Sequence, residues 1–204
     1  MKTLTALAIF LSYASFAQAN DIELDVTDPL DVGRTRFGIE SVTFNGSGCA
    51  GGKGTGYLVQ NDILWLKFAD AQTAKTGPGK SLGESRRNCS AIINFKDGSR
   101  SLAVDSVAFY VEADLPEKHT ANVSVNWFFS GQGTTGSFSK TLSGDYYGVW
   151  TNTFEGAVSG DAWKPCGADR SLTVNGAIRV TGPREQESTA QWQILGLRLK
   201  SRAC

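Results

Sequence analysis

The stretch Gly144-Asp145-Tyr146-Tyr147-Gly148-Val149-Trp150, followed by Thr151-Asn152, sets three aromatic rings among glycines and small polar residues. Ring faces stack on apolar ligand faces, while Asn, Asp and Thr side chains bond hydroxyls beside them. Sugars offer both features, so Tyr146, Tyr147, Trp150 and Asn152 form the candidate ligand-binding set, with carbohydrate the best-defined ligand. The same residues have a plainer reading, in which Tyr146 or Trp150 packs inward and the rest is a hairpin.

Catalytic chemistry finds less support. A Ser-His-Asp arrangement would have to use His119, the single histidine, which follows Pro116-Glu117-Lys118 in what reads as an exposed turn. No Gly-x-Ser-x-Gly elbow accompanies it. A glycosidase needs two carboxylates across a cleft, and Asp105, Glu112 and Asp114 would share a sheet face if no bulge intervenes. A solvated strand face is the simpler account of those three. Asp21, Glu23 and Asp25 alternate along an extended stretch and could offer oxygen ligands to calcium, but no EF-hand loop is present and an acidic solubilising arm explains them equally. Arg86 and Arg87, with Lys75 and Lys80, could make a small cationic spot in the long segment Ala69–Arg87, which reads as a loop. No resident metal and no cofactor is expected.

Compartment comes from the other end of the chain. Lys2, the apolar run Leu4 to Phe16 and Ala17-Gln18-Ala19 read as a cleaved signal peptide over residues 1–19. An acidic arm (residues 20–35) and one secreted domain (residues 36–204) follow. No later segment is long and apolar enough to span a bilayer. Lys+Arg and Asp+Glu are 20 each, so the broad positive field that nucleic-acid binding needs is missing. In an oxidising compartment the widely spaced Cys49, Cys89, Cys166 and Cys204 favour two disulfides over a zinc or redox site. Four cysteines allow three pairings. Cys49–Cys89 with Cys166–Cys204 is the favoured one, although sequence does not choose among them.

The elements that must position these residues are strands. Ala121, Val123, Val125, Trp127 and Phe129 alternate with polar residues, as do Leu172, Val174, Ile178 and Val180. Turn chemistry such as Gln60-Asn61-Asp62 and Ser143-Gly144-Asp145 separates such runs, and no amphipathic helix stands out. The expectation is an all-β chain, an antiparallel β-sandwich of about ten strands closed by disulfides, with a distorted barrel as the alternative. Trp65, Trp127 and Trp192 sit in apolar strands and are expected in the core, while Trp163 beside Pro165-Cys166 is expected to shield a disulfide.

The cysteine neighbourhoods fall in a distinctive order: Gly46-Ser47-Gly48-Cys49, then Asn88-Cys89, then Pro165-Cys166-Gly167, then Cys204. Phe128-Phe129-Ser130-Gly131 lies between the second and third. This order resembles a family of exported fungal and bacterial proteins of similar length, a domain of unknown function, and the likeness runs from about Gly38 to Cys204. The resemblance implies a secreted, disulfide-linked domain and supplies no catalytic residue. The functional expectation is a secreted, non-enzymatic binding or structural protein with a glycan or envelope component as partner. The alternatives are a hydrolase using paired carboxylates on an extracellular polymer, and a protein-binding or toxin-like factor.

Overall fold

The computed structural model describes residues 38–68, 72–96, 98–133, 136–155, 163–167 and 169–204. The segments read as a signal peptide and an acidic arm, with Asp21, Glu23 and Asp25, lie outside them. Eleven strands follow one another: β1 Ile39–Asn45, β2 Gly56–Gln60, β3 Ile63–Lys67, β4 Thr73–Thr76, β5 Arg86–Phe95, β6 Arg100–Leu115, β7 Thr120–Phe129, β8 Gly136–Ser143, β9 Tyr146–Glu155, β10 Leu172–Thr181 and β11 Ser188–Ala203. They form two antiparallel sheets, one ordered β1-β5-β10-β7-β8 and the other β2-β3-β11-β6-β9. Neither sheet closes on itself, so the expected sandwich stands and the barrel alternative falls.

Local chemistry explains the pairings. Between β2 and β3, Asn61 and Asp62 both take positive φ (53° and 61°), the conformation a two-residue hairpin turn demands and Asn and Asp tolerate. Strands β6 and β11 pair along nearly their whole length, with irregularities at Gln193 and Asp105. Strand β4 corrects the reading of Ala69–Arg87 as one long loop. After β3 leaves β11 at Ile194, Thr73–Thr76 pairs with Ser188–Gln191 on the same edge. Four residues are too few to display a period, so only the pairing reveals the strand.

The core lies between the sheets, and Trp192 of β11 is its centre. Its ring meets Phe68 at 5.6 Å and Phe109 at 5.7 Å between centroids. Across the gap it seats on Gly176 of β10, where an added Cβ would stand 3.1 Å from Cζ3. Trp127 and Trp192 are buried as expected, whereas Trp65 is not a core residue. It points outward from the six-stranded sheet and lies over Gly196 of β11, opposite it in register. Its strand alternates Leu64 and Leu66 inward, which leaves Ile63, Trp65 and Lys67 on the outer side. An apolar residue type alone does not say which face of a strand it takes.

The disulfides are Cys49–Cys89 and Cys166–Cys204, the favoured pairing. The first is buried beneath the β1–β5 edge, and the second fastens the end of β11 to the segment beside it. There Lys164 N donates to Leu102 O, Ser101 Oγ donates to Lys164 O, and the Arg202 guanidinium lies 4.4 Å from the Trp163 ring centroid.

Two outcomes follow. Gly176→Val forces two γ-methyls against the Trp192 ring and should lower unfolding free energy by about 1–3 kcal/mol, measured by urea denaturation. Because Cys166 and Cys204 are exposed while Cys49 and Cys89 are buried, mild reductant should open Cys166–Cys204 first, with peptide mapping after alkylation as the readout.

Candidate functional site

Strand β9 forms one edge of the six-stranded sheet, paired to β6 from Ser106↔Glu155 to Leu115↔Tyr146. The pleat divides the predicted residues between two faces. Tyr147 stands opposite Asp114 and Val149 opposite Glu112, on the outer face, and they are 62% and 45% exposed. Tyr146 and Trp150 oppose the buried Leu115 and Val111, so they turn inward and pack against the core. Trp150 lies 6.0 Å from the Phe109 ring, which also meets Phe138 at 4.7 Å. Asn152 is exposed near the end of the strand, opposite Phe109. The three rings therefore do not share one face: Tyr147 is the exposed ring, and Trp150 is partly a core residue.

Around Tyr147 the setting is acidic. Partial loss of water around its hydroxyl, then the negative charges of Asp145 and Asp114, hold its phenol above its ordinary pKa, and a hydrogen bond with Asp145 adds to this. Neighbouring Glu112 accepts a 2.7 Å hydrogen bond from Gln193 Nε2 on the same outer face. Glu112 and Asp114 are thus side by side, but Asp105 is separated from them by the irregularity in β6 and pairs with Lys200 at 2.5 Å.

His119 is not the exposed turn residue the sequence suggests. It is buried in the β6–β7 turn, with Nδ1 3.1 Å from Glu117 O and Nε2 2.9 Å from Pro183 O. The ring is thereby a clasp between the β6–β7 and β10–β11 connections. A lone histidine among polar neighbours reads as solvent-facing because the segment that covers it lies 64 residues away.

The four basic residues of segment 69–87 belong to different elements. Lys75 is in β4, and Arg86 and Arg87 open β5, where Arg87 Nη1 donates to Gly83 O at 2.9 Å. Lys80 sits 3.7 Å from Glu187, and its carbonyl accepts from Arg184 Nη2. Between them, Ser81 N and Oγ both donate to Glu84 Oε2, at 2.8 and 2.9 Å. The backbone bond first, and the hydroxyl second, hold the Glu84 carboxyl below its ordinary pKa. Among the described residues no group of three or more His, Cys, Asp or Glu could hold a metal ion, and no helix is long and apolar enough to cross a membrane.

The model of a domain of unknown function, DUF4360, matches residues 35–199. The chain belongs to the DUF4360 family. A relative from Arthroderma benhamiae, described as an uncharacterized secreted protein, is 29% identical over 144 residues, which are 70% of this chain and 59% of the relative. The chain thus spans under two thirds of that relative's length. Among solved structures, TmCBM61 in complex with β-1,4-galactotriose aligns at a TM-score of 0.34 and 8% identity, over 82% of this chain and 91% of that one. A CBM4 structure aligns at a TM-score of 0.24 and 14% identity, over 80% and 86%. Scores this low carry no argument about ligand, so the DUF4360 site has to be read from its own side chains.

The raised Tyr147 pKa gives one such reading. Because folding keeps its proton on, the unfolded chain releases that proton first, near the ordinary value of about 10, and stability falls as pH rises through it. Asp145→Asn should move the Tyr147 titration back down. Phenolate absorbance of wild type, Asp145→Asn and Tyr147→Phe checks this.

Proposed function

We propose that this protein is secreted and works by recognising carbohydrate on its β9 edge, without catalysing a reaction there. The observation that carries the reading is Tyr147, 62% exposed on the outer face, with Asp114 opposite it and Asp145 hydrogen-bonded to it. An exposed ring gives an apolar plane for a sugar's C–H face, and adjacent carboxylates accept hydrogen bonds from vicinal hydroxyls. Val149 widens the apolar strip and Thr151 adds a hydroxyl on the same face, while Asn152, opposite Phe109, falls on the other side of the strand. A rigid strand holds these groups, so little entropy is lost when a ligand binds. Secretion is supported by the signal-like N-terminus, the two disulfides and the description of the Arthroderma benhamiae relative.

The test is a screen of soluble oligosaccharides by array and then by calorimetry. Tyr147→Ala should weaken the best ligand at least tenfold, about 1.4 kcal/mol, without moving the thermal midpoint. Trp150→Ala should lower the midpoint, because its ring packs on Phe109. Equal affinity in wild type and Tyr147→Ala would defeat the reading.

A further inference from the structure

The outer face of the five-stranded sheet has a composition that folding does not require. Inward positions of β5, β7 and β10 are apolar, or glycine beneath Trp192, over most of their length. Nearly every outward position of β1, β5, β10, β7 and β8 is Ser, Thr or Asn, the exceptions being Glu40 at the β1 bulge, Arg86, Ile92, Ala177, Arg179 and Phe128. Glu40, on the edge strand, is the single carboxylate among these positions, and no Lys stands there. The two arginines face each other at one end, across β5 and β10. The opposite outer face, on the six-stranded sheet, carries Lys67, Lys75, Glu112, Asp114, Arg198 and the Asp105–Lys200 pair. Soluble surfaces are ordinarily about a quarter to a third charged, so the contrast between two faces of one small domain calls for a partner.

Register converts this composition into a pattern. Asn45, Ser90, Asn175, Asn126 and Ser137 stand in one row across all five strands. The adjacent row runs Thr43, Ile92, Thr173 and Phe128. Neighbours within a row are about 4.8 Å apart and the rows lie about 7 Å apart along the strands. Mutual hydrogen bonds fix the side chains: Asn175 Nδ2 donates to Asn126 Oδ1 at 3.0 Å, and Asn122 Nδ2 donates to Ser139 Oγ and Thr141 Oγ1 at 3.1 and 3.2 Å. An amide used once keeps further donor and acceptor capacity. The result is a prearranged field of neutral donors and acceptors beside a row in which Ile92 and the half-buried ring of Phe128 alternate with threonines.

We infer that this face is a second binding surface, and that its ligand is an uncharged polysaccharide chain lying flat across the strands. Charge selects the class. A lone carboxylate on the edge strand, Glu40, is too little for a polycation, and two arginines at one corner are too few and too local for a polyanion. A polyhydroxylated neutral chain matches the hydroxyl and amide rows, and its C–H faces match Phe128 and Ile92, spaced on either side of Thr173. The inference shares the ligand class of the β9 reading but rests on different residues in the other sheet, so either can fail without the other.

The experiment uses the mature chain, with both disulfides formed, and measures its retention on insoluble cellulose, chitin and β-glucan and on polygalacturonate. Retention on at least one neutral polymer, unchanged at about 0.5 M salt where surface charge is screened, is expected, with none on the polyanion. Ser90→Arg with Asn175→Arg should reduce retention at least tenfold with the thermal midpoint unchanged. Should that variant be unstable, Asn126→Ala with Asn175→Ala should reduce it several-fold. Lys67→Ala, on the outer face of the other sheet, should be retained like wild type. The inference is overturned if wild type is held by no neutral polymer, whatever soluble sugars bind at β9. It is overturned equally if the face variants are held as well as wild type, or if Tyr147→Ala alone is released. Loss of a dimer in the face variants, with retention intact, would assign the face to a second copy of the chain and also overturn it.

Discussion

The seating of the Trp192 ring on Gly176 sets the distance between the two sheets. The ring comes from the central strand of one sheet and lands on the central strand of the other, where any side chain would intrude. Phe109 extends the contact toward Phe138 and Trp150 at the β8–β9 side, and Phe68 extends it toward β3. With the interior filled by aromatic rings, each strand has one face committed to the core. Everything available for recognition is then the other half of each strand, presented on two outward faces and at the edges.

Those two outward faces differ in chemistry. On the six-stranded sheet, charges and half-buried apolar side chains mix: Trp65 lies over Gly196, Glu112 takes a hydrogen bond from Gln193, and Tyr147 rises between carboxylates. The five-stranded sheet presents in-register hydroxyls and amides, with Arg86 and Arg179 at one end and Glu40 on edge strand β1 as its outward charges. A single domain can therefore offer an acidic aromatic edge and a neutral plane in separate places. The disulfides and the His119 clasp sit at the ends and margins of the sheets, where they tie connections together and leave both faces clear.

Much of the fold was legible because a strand with one buried face writes its burial into the sequence. The alternating runs Ala121 to Phe129 and Leu172 to Val180 fall within β7 and β10. The failures have specific causes. Strand β4 was too short to show alternation. The first half of β9 was obscured by Gly144 and Gly148, which read as turn residues although Tyr146 to Trp150 pair continuously with β6. Trp65 was assigned to the core on hydrophobicity, yet the Leu64 and Leu66 beside it took the inward positions. His119 was read as exposed because its covering carbonyl, Pro183 O, comes from another connection.

Sequence by itself determined the class of fold, the family and the expectation of two disulfides, because alternation, turn residues and cysteine neighbourhoods are local signals, whereas the pairing of the four cysteines was decided by the structure. It also contained every residue of the outer polar face, with Asn122, Ser124 and Asn126 visible as the polar half of one strand. What it could not contain is strand order and register, which depend on the pairing of segments far apart in the chain. Only tertiary structure decided that Tyr147 faces outward while Tyr146 and Trp150 turn in, since pairing with β6 sets the direction of each side chain. The alignment of Asn45, Ser90, Asn175, Asn126 and Ser137 arose in the same way, when five separate segments were fixed side by side by their backbone hydrogen bonds.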